Sequence, residues 1–203
     1  MKHIASPSLA LRQMQAIEDW ETPAAAPRII IAFAGLAGSG KSTAAMHLVN
    51  CHGFRRVRLA GPLKAMLTAL GLTAAEIDGD RKEQPCALLG GKTPRWAMQT
   101  IGTEWGRELI DPNLWTRAWR AAVDALPAGV PVVVDDCRFP NEADAVAEAG
   151  GVLVRIERPG AGAGAAGHAS EAHQLPAACT LANVGDERQL RGMDDEVLER
   201  LVK

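Results

Sequence analysis

The chain has 203 residues, 47% hydrophobic and 23% charged, with a formal net charge of −2, the balance of one globular domain large enough to bury a core. So small a net charge argues against a broad non-specific nucleic-acid surface, and no apolar run approaches the roughly 20 residues that cross a bilayer. Four scattered cysteines, Cys51, Cys86, Cys137 and Cys179, form no C-x-x-C pair, which excludes the usual zinc and disulfide frameworks and makes the cytoplasm the expected compartment.

Residues 1–27 stand outside the core pattern. Leu9, Met14 and Ile17 could stripe a short helix, and Pro23 to Pro27 then reads as a linker, so this stretch is an extension ahead of a domain over 28–203. Ile29 to Ala34 is an apolar strand. Gly35-Leu36-Ala37-Gly38-Ser39-Gly40-Lys41-Ser42-Thr43 follows, and Ala44 to Val49 continues as a helix. This is the G-x-x-x-x-G-K-[ST] spacing in a strand–turn–helix setting. Its glycines let successive N–H groups turn inward as an anion nest at a helix N-terminus. Gly35, Ala37, Gly38, Ser39, Gly40, Lys41, Ser42 and Thr43 are therefore expected to cradle a nucleoside triphosphate. Lys41 would reach the β- and γ-phosphates, and the Ser42 hydroxyl would ligate Mg²⁺.

Phe54 to Leu59 reads as a second, shorter strand. Gly61-Pro62 opens a helix that Gly71 stops. Residues 72–92, with Pro85 and Gly90-Gly91, read as a loop or short helices suited to a substrate-side flap. Thr93-Pro94 starts a helix to about Leu109, with Thr as N-cap and Pro at the first position. Asp111-Pro112 starts another, whose Trp115, Trp119 and Val123 read as core rather than interface. Val130 to Val134 is a β-branched strand, Glu142 to Ala149 a short helix, and Val152 to Ile156 the next strand. The Gly/Ala-rich loop 159–167 leads to a further helix. Thr180 to Asn183 is a last strand, and Asp186 caps a terminal amphipathic helix. Alternating strands and helices imply an α/β three-layer sandwich, its parallel sheet of about five strands flanked by helices, with ligands at the carboxyl ends of the strands.

That rule selects residues. Asp135-Asp136 ends the strand over 130–134 in the arrangement that holds Mg²⁺; adjacent strand residues point oppositely, so either can face the metal. Arg138 and Arg158 follow two strand ends, where planar, always-charged guanidinium groups suit phosphoryl transfer. Each could instead be a surface arginine paired with Glu142 or Glu157. Asn183 begins a loop that could pack on a nucleobase. On the helix from Thr93, Ala97, Ile101, Trp105 and Leu109 make an apolar seam. Arg95, Gln99, Thr103 and Arg107 make a polar row rotated by about 200° from it, able to hold a base and a phosphate.

The run Thr93 to Arg107, followed by Asp111 to Trp115, resembles the phage-type deoxynucleoside monophosphate kinases, as do Asp136 to Ala143 and His168-Ala169-Ser170-Glu171. Gly61-Pro62-Leu63-Lys64 is similar to a segment of dephospho-coenzyme A kinases. The resemblance spans roughly 28–185 and implies a nucleoside monophosphate kinase fold, ATP with Mg²⁺, and γ-phosphoryl transfer to a deoxynucleoside 5′-monophosphate. It implies a substrate-side insertion over about 60–127 and a lid over about 158–173. It places Lys64, Arg95, Gln99, Thr103 and Arg107 on the acceptor side, with Lys41, Asp136, Arg138 and Arg158 at the reacting phosphates. Asp136 matches the acid of the family's D-x-R-F-x-N-E run and is preferred to Asp135 for the metal. The lid lacks an arginine between Arg158 and the next helix, so its cations would come from Arg138 and Arg158. A small-molecule substrate is expected, with no nucleic-acid or membrane partner, in a monomer or homodimer. Dephospho-coenzyme A or phosphomevalonate kinase activity, or a non-catalytic ATP-binding module, are the alternatives.

Overall fold

A computed structural model describes residues 28–162 and 175–202 of the chain. Five strands, β1 (Ile30–Ala34), β2 (Arg55–Arg56), β3 (Val132–Val134), β4 (Val152–Glu157) and β5 (Cys179–Ala182), form a sheet in the order β2-β3-β1-β4-β5. All four pairings are parallel, so every strand presents its carboxyl end to one edge. The topology reverses on either side of β1, which places the crevice at the loop that follows it. The 1–27 extension and the segment with His168, Ser170 and Glu171 lie outside the described residues.

β1 is buried along its whole length, the mark of a strand covered on both faces. Ile30, Ala32 and Ala34 pack into one core with Trp119, Val123 and Val146. Ile31 and Phe33 point the other way, onto Ala44, Ala45, Leu48 and Leu190. Each of the large side chains contributes about 1.5–3 kcal/mol by leaving water. Helices α1 (Lys41–His52) and α7 (Glu187–Val202) close the second face, and α5 (Leu114–Asp124) and α6 (Pro140–Glu148) the first. No helix of the described residues is long and apolar enough to cross a membrane.

The connection from β2 to β3 carries α2 (Gly61–Ala69), α3 (Ala74–Ile77), a 3₁₀ turn (Ala87–Leu89), α4 (Pro94–Thr100) and α5. It has its own small core of Leu67, Leu72, Ile77 and Ala97. Arg28 ties α5 down by donating to the carbonyls of Val123, Leu126 and Pro127 at 2.6, 3.1 and 3.2 Å, a cation at a helix C-terminus. Trp115 and Trp119 are both buried, and the Trp119 indole donates to the Val57 carbonyl at 3.2 Å.

Two elements depart from the sequence pattern for physical reasons. The strand expected over 54–59 pairs only at Arg55–Arg56, because the amides of Leu59 and Ala60 leave the ladder to donate to the Asp136 carboxylate, each at 2.9 Å. The helix expected from Thr93 to Leu109 changes period. Thr93 caps it by accepting from Trp96 N at 3.1 Å, but from Ile101 to Ile110 it is a π-helix. Trp115 packs against this segment. Its indole donates to the Gly102 carbonyl at 2.7 Å, and it lies so close to Gly106 that a β-carbon there would come within 2.6 Å of the ring.

Candidate active site

The loop after β1 is shaped by backbone that only glycine adopts readily. Gly40, the N-cap of α1, has φ +111°, and a β-carbon on it would lie 2.7 Å from Asn183 Nδ2. Asn183, buried just past β5, donates to the Ser39 carbonyl at 2.8 Å. It thus braces the loop from behind. Lys41 is buried, and its ammonium donates to the carbonyls of Gly35 and Leu36 at 2.7 and 2.6 Å, arching over the cradle.

At the end of β3 the two aspartates separate, as alternation along a strand requires. Asp135 is buried and accepts from Ser42 Oγ at 2.8 Å. It also accepts a two-pronged pairing from Arg56, whose Nε lies 2.9 Å from Oδ1. Burial pushes the Asp135 carboxyl up, but Arg56 and Ser42 more than offset it and hold it below the usual carboxylate range. Asp136 faces a different space, and burial, aided by the Asp135 charge, drives its carboxyl above the usual range despite its two amide donors.

That space is a cavity of about 250 Å³ with Asp136, Arg138 and Phe139 at its sheet end. Lys64, Arg95, Gln99, Thr103 and Arg107 all line it. The changed helix period matters here. Residues four apart advance by about +40° on an α-helix and fall back by roughly 30° on a π-helix of about 4.4 residues per turn. The drift accumulated before Ile101 is therefore reversed after it, and Thr103 and Arg107 stay on the cavity side with Arg95 and Gln99.

Three cations of this cavity, Arg107, Arg95 and Lys64, are held by acids. Arg107 Nη2 pairs with Glu142 Oε1 at 2.5 Å, while Nη1 makes only long contacts, 3.4 Å to the Pro112 carbonyl and 3.5 Å to Asn141 Oδ1. Its guanidinium lies 4.1 Å from the centre of the Phe139 ring. Burial pushes the Glu142 carboxyl up, against the pull of the Arg138 and Phe139 amides and of Arg107. Arg95 pairs with Glu83. Lys64 and Arg58 share Asp78 at 2.5 and 2.9 Å, and although burial raises that carboxyl, the two cations hold it down to about 2.

A second cavity, about 310 Å³, lies beyond the phosphate loop and is lined by Gly40, Thr43, Arg158, Asn183, Gly185 and Leu190 among others. Arg138 and Arg158 therefore do not converge in one cavity; they flank the loop on opposite sides. Polar residues of the site to which the sequence reading gave no role include Arg56, Asp78 and Lys82. Arg56 sits on a two-residue strand, and Asp78 falls in the illegible stretch 72–92. Glu142, which belongs to the run Asp136 to Ala143 and was weighed as a partner for the Arg138 side chain, pairs with Arg107. The place of Arg56 just inside a strand end and that of Glu142 in the run Asp136 to Ala143 were available signals.

No family model matches the chain. A protein of Acanthamoeba polyphaga mimivirus, provisionally named a deoxynucleotide monophosphate kinase, is 38% identical over 145 residues, which are 65% of this chain and 75% of that one. The crystal structure of TT1252 from Thermus thermophilus superposes with a TM-score of 0.51 at 20% identity, over 87% of this chain and 99% of that chain. The Mycobacterium tuberculosis APS kinase CysC in complex with AMPPNP and APS gives a TM-score of 0.49 at 16% identity, over 87% of this chain and 99% of that one.

Proposed function

Because this chain belongs to the deoxynucleotide monophosphate kinase family and is an ATP-dependent kinase, we propose that it transfers the γ-phosphoryl group of ATP to a deoxynucleoside 5′-monophosphate, giving the diphosphate and ADP. The observation that carries this reading is the row Arg95, Gln99, Thr103 and Arg107 facing a cavity that begins at Asp136, next to the Asp135 that Ser42 touches. An acceptor in that cavity lies at the same sheet edge as the triphosphate cradle.

In this reading the acceptor phosphate meets Arg107, whose Nη1 edge is weakly engaged, and Arg138; the base lies toward Gln99 and Arg95. The ATP base occupies the second cavity, against Thr43 and the loop after Asn183. Ser42 and Asp135 offer a hydroxyl and a carboxylate, the hard oxygen donors that Mg²⁺ takes, and they meet at the foot of the cradle. When bound, the ion supplies neutralisation of triphosphate charge. The acceptor is already largely dianionic at neutral pH, its second pKa being about 6. No general base is required, and positioning with charge compensation by Lys41 and Arg138 carries the acceleration, while Arg158 lies on the ATP side. An oxygen of the acceptor forms the new P–O bond in line as the β–γ bridging bond breaks and ADP leaves.

The test is ADP release from MgATP with dAMP, dCMP, dGMP and dTMP in turn, and with dephospho-coenzyme A and phosphomevalonate in parallel. Turnover with one or more of the four nucleotides is expected. Turnover confined to one of the other two acceptors would replace this reading, and tight ATP binding without turnover on any acceptor would leave a binding module.

A further inference from the structure

Away from both cavities, His47 and His52 of α1 converge on one atom of α7. Asp195 Oδ1 lies 2.7 Å from His47 Nε2 and 2.8 Å from His52 Nε2. The two rings stand 5.3 Å apart at 81°, and the three potential ligand atoms all lie within 4.8 Å of one another. We propose that His47, His52 and Asp195 form a binding site for a divalent transition metal, with zinc as the reference ion, that staples the middle of α7 to the C-terminal half of α1.

The donor set fits that class of ion. Imidazole nitrogen with a carboxylate oxygen suits zinc and its neighbours and is a poor match for magnesium, so the site is chemically distinct from the phosphate cradle and does not depend on the kinase reading. Two nearly perpendicular rings that both point Nε2 at one oxygen also point their Nε2 lone pairs at that region once each proton sits on Nδ1. Binding zinc requires that arrangement, because a ligating nitrogen must be unprotonated. Zinc bonds of about 2.0–2.2 Å at tetrahedral angles set ligand atoms roughly 3.3 Å apart. The observed N···O separations of 2.7 and 2.8 Å must open by about half an ångström, and the Asp195 side chain, 44% exposed, has room to retreat. His47 is 10% exposed and His52 31%, which leaves the outer side of the site to solvent for further ligands. Such a staple bears on the nucleotide end of the molecule through α7, whose Glu187 and Leu190 line the second cavity.

The test uses the full chain freed of metal by chelation, with zinc sulfate alone and no nucleotide, titrated in competition with a chromophoric chelator. The wild type should take one zinc per chain, and the thermal midpoint should rise with it. His52→Gln and Asp195→Asn, changes at partly exposed side chains, should weaken zinc binding at least about tenfold while leaving the metal-free thermal midpoint near its starting value. Co²⁺ should give intense visible absorption bands in the wild type that His52→Gln abolishes. Equal zinc affinity in the wild type and both variants, or a wild type that takes no zinc or responds only to Mg²⁺, overturns the proposal.

Discussion

Replacing Arg107 with alanine separates the acceptor site from the ATP site. The guanidinium touches the Glu142 carboxylate at 2.5 Å and the Phe139 ring at 4.1 Å, makes long contacts to the Pro112 carbonyl and Asn141, and faces the cavity. Deleting one partner of a buried pair costs about 3–5 kcal/mol. Glu142, however, keeps the amides of Arg138 and Phe139 at 2.7 and 3.0 Å. The expected loss of stability is therefore at the low end, about 2–3 kcal/mol, or roughly 5–10 °C in thermal midpoint for a domain of this size. A charged hydrogen bond to the acceptor phosphate is worth about 1.5–3 kcal/mol. At about 1.4 kcal/mol per factor of ten, its loss raises the acceptor KM by roughly 10- to 150-fold. The assay is steady-state ADP formation with each substrate varied in turn, below the lowered thermal midpoint. KM for ATP should stay within about threefold. A variant that raises the ATP KM and leaves the acceptor KM unchanged would refute the placement of the acceptor.

Lys41→Ala should lower kcat by at least about 10²-fold, the scale of one lost transition-state donor, with the fold retained by circular dichroism. Gly40→Ala places a β-carbon 2.7 Å from Asn183 Nδ2 at a φ of +111°; a cost of about 1–3 kcal/mol and weakened ATP binding by calorimetry are expected, and a neutral result would mean that the loop relaxes freely. Asp78→Asn removes a carboxyl held down to about 2 by Arg58 and Lys64. A depressed carboxyl stabilises the fold above its unfolded value near 4 and loses that contribution as pH falls toward 2. With the side chain 46% exposed, screening limits the effect to less than about 1 kcal/mol. Urea unfolding should show the variant weaker at pH 7 and equal to the wild type near pH 2.

The amino-acid sequence determined whatever depends on local chemistry. The glycine spacing before Lys41 dictates an anion nest whatever surrounds it, and the β-branched run ending at Val134 dictates a buried parallel strand with an acid at its end. The four-residue row from Arg95 to Arg107 was readable as a polar row set apart from the apolar seam, although on an α-helix such a row drifts by about 40° per step. What the tertiary structure decided was direction and pairing. Alternation along β3 says that Asp135 and Asp136 point apart, but only the packing of α1 against the sheet brings Ser42 to Asp135, and only the departing amides of Leu59 and Ala60 engage Asp136. Propensity could not foresee a π-helix. Its bracing contact, the Trp115 indole on the Gly102 carbonyl, comes from the next helix, and the changed period keeps Thr103 and Arg107 at the cavity. Which acid neutralises which arginine was equally beyond reach, because a salt bridge depends on separations across space that spacing along the chain does not encode.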